Sequence, residues 1–165
     1  MLLRTLRFIT LMLAALGMAM GTAHVLELVP KMQYDAQTYT KVNSTLYLFY
    51  GIIGGFIQVF SILASAILSF VVRGRPEFRL TLFGTLCLVL SLGLWFVLVQ
   101  PVNTEWAQVL RTAPEAAVLE SYMRLRARWE YGHVVAFIAW VGGLSLLVLS
   151  VLVDTPANRP SNRAV

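Results

Sequence analysis

Two pairs of histidine and glutamate have the residue types and the spacing to do chemistry. His24 and Glu27 stand three residues apart, and so do Glu130 and His133. Residues three apart share one face of a helix, so each pair can present an imidazole and a carboxylate in the same direction. An imidazole can act as a general base near neutral pH, and with carboxylates it can also bind iron, manganese, zinc or copper. This spacing is therefore compatible with both acid–base chemistry and metal binding.

The metal hypothesis takes all four side chains as ligands of a transition metal, with iron or copper favoured. Four-helix bundles build dimetal centres from Glu-x-x-His pairs together with further glutamates, and this chain lacks the further inward carboxylates. A mononuclear ion, or a non-covalent haem held by His24 and His133, needs fewer ligands. The sequence has no Cys-x-x-Cys-His motif, which excludes covalent haem attachment.

Four long apolar runs must position these side chains. Of the 165 residues, 58% are hydrophobic, and about 20 residues of helix cross the hydrocarbon core of a bilayer. Each run reaches that length: 8–29, 46–72, 80–102 and 129–153. The predicted fold is an all-α integral membrane four-helix bundle, one domain over residues 1–153, with one longer extramembrane loop. Residues 154–165 are a polar tail that we expect to be disordered.

The order of the spans predicts that the two pairs lie at one level. The first and fourth spans run in opposite directions, so their motifs mirror each other. Measured from Pro30, His24 lies about 9 Å deep, and measured from Trp129, His133 lies about 6 Å deep at the α-helical rise. Both imidazoles and both carboxylates are therefore expected in one pocket near one membrane surface. The simpler alternative is anchoring at the interface, in which Glu130 pairs with Arg126 or Arg128.

Four further residues fall at the same level of the predicted bundle. Asn103 and Tyr50 can donate hydrogen bonds to negative charge on a reacting oxygen. For Trp106 and Trp129, a place in the interfacial aromatic belt is the simpler alternative to ligand contact. The predicted catalytic residues are His133, Glu130 and Asn103. The predicted cofactor contacts are Trp106, Trp129 and Tyr50.

The connections and the glycines carry structural expectations. Pro30–Thr45 is predicted to be a polar connection, whereas Glu115–Arg128, which follows Pro114, is predicted to be helical. Several glycines inside the spans are expected to let helices approach closely. They are Gly51, Gly54, Gly55, Gly142 and Gly143.

The basic balance of the chain indicates lipid headgroups as its partner. The net charge is +5, but no basic patch with interleaved aromatic residues lies on a soluble element, so nucleic acid is not expected. Arg4, Arg7 and the turn Arg73–Arg79 share one side of the predicted bundle, which favours a plasma or inner membrane with both termini in the cytoplasm. The first apolar run continues to Val29, too long for a signal peptide, and is interpreted as a retained helix.

Two segments resemble the anthrone-oxygenase-like family of small four-helix membrane proteins. One is Pro101-Val102-Asn103 followed by Trp106, and the other is Arg-Ala-Arg-Trp-Glu-Tyr-Gly-His at 126–133. The Val29-Pro30 end of the first span is also similar. The resemblance implies a family-type site. Its residues would be Asn103, Trp129, Glu130 and His133.

Members of that family with an assigned function are similar to cofactor-poor oxygenases that convert anthrones to anthraquinones with molecular oxygen. Relatives often carry an arginine shortly after the histidine of the fourth helix, where this chain has Ala136 and Phe137. That departure weighs against an anionic, anthrone-like substrate.

Together these features predict a membrane oxidoreductase, oxygenase-like, that acts on a hydrophobic aromatic or quinone-like molecule near the outer face. His133 or His24 would be the general base, and Glu130 or Glu27 would orient that histidine. Whether a metal ion or a haem assists the reaction is left open. The alternative is a non-catalytic accessory subunit of a larger membrane complex, or a homo-oligomer, whose polar cluster binds a partner or lipid. Membrane lipids and a hydrophobic small molecule are the expected contacts.

Overall fold

Five helices build the part of the chain that the computed structural model describes, residues 1–154. They are α1 Leu2–Gln33, α2 Ala36–Val71, α3 Phe78–Leu98, α4 Gln100–Thr112 and α5 Glu115–Asp154. Within this range there is no β-strand. Asp154 ends α5, and the rest of the predicted disordered tail lies outside the described residues.

Four helical segments are long and apolar enough to cross a membrane: α1, α2, α5 and the joined path of α3 and α4, Phe78–Thr112. This confirms the predicted all-α bundle of a multi-pass membrane protein. α1 packs against α2 and α5, and α3 packs against the same two helices, while α4 extends along α5. The spans therefore close a ring in the order α1, α2, α3, α5.

The helices extend beyond the apolar runs, so the predicted polar connection Pro30–Thr45 is wrong. Only Tyr34 and Asp35 separate α1 from α2, and the Asp35 carboxylate accepts the Thr38 backbone N–H at 2.7 Å as an N-cap. The predicted longer loop between the third and fourth spans is helical, with a break at Ala113 and Pro114. The helix predicted over Glu115–Arg128 is confirmed as the first part of α5. Hydropathy marks where lipid contact ends, but these extensions continue because they pack against one another.

The bundle is apolar outside and locally polar inside, as expected where lipid is the solvent. Large apolar side chains such as Phe8, Phe56 and Phe70 are exposed. Ser69 and Thr85, by contrast, are buried, and their hydroxyls lie 3.1 Å apart between α2 and α3. Small hydroxyl side chains thus join the helices where hydrophobic burial supplies little driving force.

Close helix packing uses only some of the predicted glycines. α3 and α5 meet at Gly84 and Gly143, where a Cβ added to either would lie 3.0 Å from the other's carbonyl oxygen. At Gly54 an added Cβ would contact only the flexible side chain of Met20. For the remaining three the packing prediction is wrong, because an added Cβ would meet nothing within 4 Å. These are Gly51, Gly55 and Gly142.

An arginine stabilises the break between α3 and α4. Pro101 has no N–H, so the carbonyl of Val97 loses its helical donor. The Arg128 guanidinium donates to the carbonyls of Val97 and Leu98, each at 3.1 Å. A Cβ at Gly132 would approach the Leu98 and Val99 side chains within 3.1 Å, so this glycine lets α5 lie against the break. The segment 126–133 therefore has a structural role as well as a candidate functional one.

Candidate functional site

The two histidines that the sequence predicts to meet do so. The rings of His24 and His133 stack with centroids 4.0 Å apart and planes 15° from parallel. The contact follows from close packing of α1 on α5, since Gly17 faces the Trp140 ring and Gly21 faces the Phe137 ring. His24 lies about one turn after Gly21 and about two turns after Gly17, and it is only 7% exposed.

The hydrogen bond of His133 fixes its tautomer. Its Nδ1 lies 2.9 Å from the carbonyl oxygen of Trp129, and a carbonyl can only accept, so Nδ1 carries the proton. In the neutral ring Nε2 then holds a free lone pair. The group that orients His133 is therefore a backbone carbonyl rather than Glu130. The buried Nδ1 of His24 has no hydrogen-bond partner among residues 1–154.

Glu130 is held by a residue that the sequence analysis assigned to a connection. Its carboxylate lies 2.9 Å from the ammonium of Lys31 and accepts the Tyr39 hydroxyl at 3.1 Å. Lys31 and Glu130 are each 1% exposed. Because α1 continues past Val29 to Gln33, Lys31 shares the inner face of the helix. The spacing of 24, 27 and 31 on one helical face is the signal that identifies it.

The Lys31 ammonium takes the place that the metal hypothesis gave to an ion. It lies 3.8 Å from the Glu27 carboxylate and faces the rings of Tyr47 at 4.5 Å and Trp129 at 4.9 Å, as cation–π contacts do. Within residues 1–154, no group of three or more His, Cys, Asp or Glu side chains is placed to hold a metal ion. The predicted carboxylate ligands are committed to this lysine.

A haem held between His24 and His133 does not fit this geometry. Nitrogens bound on opposite sides of one metal ion stand about 4 Å apart, with their rings extending away from each other. Here the ring centroids are themselves 4.0 Å apart and the rings lie face to face. No haem plane can enter between them.

The predicted tryptophans form an internal wall. Trp129 donates its Nε1 proton to Asn103 Oδ1 at 2.8 Å, which leaves the amide NH₂ of Asn103 as a donor. Trp106 donates to the Ser121 carbonyl at 3.3 Å and stacks on Tyr122 with ring centroids 4.2 Å apart. Both tryptophans are buried, so the interfacial-belt alternative is wrong for them.

The two arginines beside Glu130 bind backbone carbonyls. Arg126 donates to the carbonyl of Tyr34 at 2.9 Å and to that of Lys31 at 3.4 Å, which caps the end of α1. Arg128 donates to the carbonyls of Val97 and Leu98 at the break between α3 and α4. The alternative in which Glu130 pairs with Arg126 or Arg128 is therefore wrong, and Lys31 is its partner.

A cavity of about 1040 Å³ opens beside the stacked histidines. Its lining brings together predicted and unpredicted residues, among them His24, Asn43, Tyr47, Tyr50, Trp95, Asn103, Trp106, Trp129 and His133. Within the described chain, Asn43 Oδ1 and the Tyr47 hydroxyl are buried without hydrogen-bond partners, which is uncommon in a folded interior. Asn43 was not recognised in the sequence, and Tyr47 lay in the predicted second span without an assigned role, although 43, 47 and 50 share one face of α2 by their spacing.

This arrangement can bind an aromatic molecule that carries oxygen substituents. The rings of Tyr47, Tyr50 and Trp129 supply flat apolar walls. Polar atoms of His24, Asn43 and Tyr47 that have no hydrogen-bond partner within residues 1–154 supply the hydrogen-bonding positions. Glu27 does not line the cavity, and its side chain is 39% exposed.

Comparison of the chain with protein-family models, with curated proteins and with solved structures finds no match. The resemblance to the anthrone-oxygenase-like family stays a prediction.

Proposed function

We propose that the protein is a membrane oxygenase that needs no metal or haem and acts on a lipophilic aromatic ketone of the anthrone type. The observation that carries this proposal is the hydrogen bond of the His133 ring, because it leaves Nε2 without a proton when the imidazole is neutral. Its Nδ1 proton is committed to a carbonyl at 2.9 Å, and its ring lines an apolar cavity whose polar end holds unpartnered hydrogen-bonding groups. Such a site provides a base and an oxyanion environment without solvent.

The first step is removal of a proton from the methylene group that is conjugated to the substrate ketone. Nε2 of His133 accepts this proton, and the negative charge moves to the ketone oxygen. The Tyr47 hydroxyl and the Asn103 amide NH₂ are donors at the cavity wall that would stabilise that oxygen. Tyr50 stands next to Tyr47, with ring centroids 5.2 Å apart, and completes the aromatic wall.

The second step consumes molecular oxygen. The carbanion carbon gives its electron pair to O₂, a carbon–oxygen bond forms, and the terminal oxygen takes the proton from the imidazolium. The resulting hydroperoxide loses its remaining C–H proton as the O–O bond breaks, which yields a carbonyl and water. The balance is CH₂ plus O₂ to C=O plus H₂O, so the substrate supplies all four electrons.

Lys31, Tyr39 and Glu130 act as positioning residues in this proposal. The ammonium of Lys31 faces both Tyr47 and Trp129, so the ion pair with Glu130 fixes two walls of the cavity. Glu130 has no hydrogen bond to His24 or His133 in residues 1–154. Its contribution would be to orient the aromatic walls, and it would not carry the proton.

The test measures oxygen uptake by the purified protein in detergent with anthrone as the probe. His133→Ala is expected to lower the rate by about 10²–10⁴, the usual contribution of a general base. With ¹⁸O₂, one labelled oxygen should enter the quinone and one should enter water. Gly142→Ala is the control, because an added Cβ there meets nothing within 4 Å.

Two results would contradict the proposal. One is uptake that His133→Ala leaves unchanged while the variant keeps its helical circular dichroism. The other is the absence of turnover together with a stoichiometric protein that copurifies even with His133→Ala, which would support the accessory-subunit alternative.

A further inference from the structure

The cavity is much longer than a three-ring aromatic molecule. Its lining on α2 extends from Asn43 to Phe60, which corresponds to about 25 Å at the helical rise. Its volume of about 1040 Å³ lies at the upper end of small-molecule sites, roughly 300–1000 Å³. An aromatic head at the histidines would therefore leave the deeper part of the cavity empty.

The polarity of the lining changes along this length. At one end stand His24, Asn43 and Tyr47, each more than nine-tenths buried and each with a polar atom that has no hydrogen-bond partner within residues 1–154. The deeper stretch is lined mainly by glycine and apolar side chains, and the Ser91 hydroxyl there is already bonded to the Ala136 carbonyl at 2.7 Å. Gln58 is the exception among the deeper lining residues of α2. The cavity is thus complementary to a molecule with one polar end.

Two glycines keep the deeper part of the cavity open. Gly51 and Gly55 are four residues apart on one face of α2, and both line the cavity. An added Cβ at either would meet nothing within 4 Å, so neither serves helix packing. Glycine destabilises a helix interior relative to alanine, and here the space left by the missing side chains faces the cavity.

The cavity also reaches the lipid-facing surface. Its lining includes the exposed residues Gly51 and Phe56 of α2 and Phe96 of α3, and these two helices are neighbours in the ring. A molecule dissolved in the bilayer therefore has a lateral route between α2 and α3.

We propose that the substrate is a tailed amphiphile: an oxygen-bearing aromatic head, which is an aromatic ketone or its phenolic tautomer, with one long alkyl or isoprenoid chain. The head binds at His24, Asn43 and Tyr47, and the chain lies along Gly51 and Gly55 between α2 and α3. The identification of the head as a substrate rests on the proposed function, whereas the site for the chain rests on the cavity itself.

The experiment measures binding of 2-alkylhydroquinones with methyl, pentyl and decyl chains, by quenching of tryptophan fluorescence at fixed detergent. Affinity, corrected for partition into micelles, should rise by about tenfold or more from methyl to decyl if several methylene groups are buried in the cavity. The double variant Gly51→Leu with Gly55→Leu should lose that gain and keep the affinity for the methyl compound. Gly142→Leu, which does not line the cavity, should bind like the native protein.

Three outcomes would overturn the proposal. The first is equal affinity for methyl and decyl compounds in the native protein. The second is a double leucine variant that also loses its affinity for the methyl compound, which would mean that these glycines shape the site for the head. The third is displacement of the decyl compound by dioleoylphosphatidylcholine at equal mole fraction, which would identify a membrane phospholipid as the occupant.

The assay separates this proposal from the oxygenase proposal, because it requires no turnover. Chain-length dependence without any oxygen uptake would leave the tail site standing and remove the proposed reaction. Turnover of anthrone that depends on His133, with no effect of chain length on binding, would leave the proposed reaction standing and remove the tail site.

Discussion

Each end of the bundle holds a buried ion pair, and the two ends use it differently. At the terminal end, formed by Arg7, Glu77 and Asp154, one guanidinium on α1 bridges two carboxylates, at 2.7 Å to Glu77 and 2.6 Å to Asp154. At the histidine end, formed by Lys31, Glu130 and the stacked imidazoles, one ammonium pairs with Glu130 at 2.9 Å. The first joins α1 to the start of α3 and the end of α5, and the second stands beside a cavity.

The difference shows that buried charge does not by itself identify a site. None of the three terminal-end residues lines the cavity, although one oxygen of Glu77 is buried and unpartnered within the described chain. At the histidine end Lys31 Nζ and Glu130 Oε2 are held in their ion pair, whereas the atoms of His24, Asn43 and Tyr47 that lack a hydrogen-bond partner within the described chain belong to groups that line the cavity. Leaving polar groups unpaired is costly, and a ligand that pairs with them is the reason we infer for keeping them.

The largest expected effect is on stability at the histidine end. Lys31→Met should lower the free energy of unfolding by about 3–5 kcal/mol, because it leaves the Glu130 carboxylate buried without its cation. Unfolding in mixed detergent micelles, followed by circular dichroism, measures the change. Adding Glu130→Gln to Lys31→Met should recover part of the loss. A double variant whose loss equals the sum of the two single losses would show that the pair is not coupled.

A substitution at the terminal end should lower the stability of the protein and leave ligand binding unchanged. Arg7→Gln is expected to cost about 1.5–3 kcal/mol, the range for hydrogen bonds to a buried charged group, with little from Asp154 because its side chain is 36% exposed. Binding of decylhydroquinone to the folded variant should match that of the native protein. Weaker binding of decylhydroquinone to Arg7→Gln would mean that the terminal end influences the cavity, and that the two ends do not have separate roles.

A smaller effect is expected at the break between α3 and α4. Arg128→Lys should cost about 0.5–1.5 kcal/mol, since an ammonium cannot reproduce the fork that donates to Val97 and Leu98. Arg124→Lys is the matched control: Arg124 pairs with Glu105 on the exposed surface, and such pairs contribute at most about 1 kcal/mol. Equal losses in the two variants would show that Arg128 does not stabilise the break.

The spans and the meeting of the two histidines were predictable because each depends on one-dimensional spacing. Span length follows from bilayer thickness, and the facing of 24 and 133 follows from helical repeat and antiparallel order. Tyr47 lies inside the predicted second span but was not assigned to the site, because spacing alone does not distinguish its hydroxyl from that of Tyr50. Lys31 and Asn43 were missed because hydropathy ends the first span at Val29 and begins the second at Leu46, although the helices continue in both directions. Helical spacing alone, applied past the apolar limits, places these residues on the inner faces.

The partners of the carboxylates could not be predicted from spacing. Glu130 has arginines two and four residues before it in the sequence, but both bind carbonyls freed by helix ends. Which carbonyls are free depends on where Pro101 breaks the third span and where α1 ends, and both are tertiary facts. The open space at Gly51 and Gly55 is likewise a tertiary property, because it depends on which side chains of other helices come near them.

The most direct test of the central claim is anaerobic binding of anthrone, followed by ultraviolet–visible absorbance. We expect the native protein and Arg7→Gln to accumulate the deprotonated, enolate form of anthrone, because His133 Nε2 takes the proton and no oxygen is present to consume the carbanion. His133→Gln should bind anthrone without forming the enolate. Equal enolate formation in His133→Gln, or none in the native protein with anthrone bound, would contradict the assignment of His133 as the base.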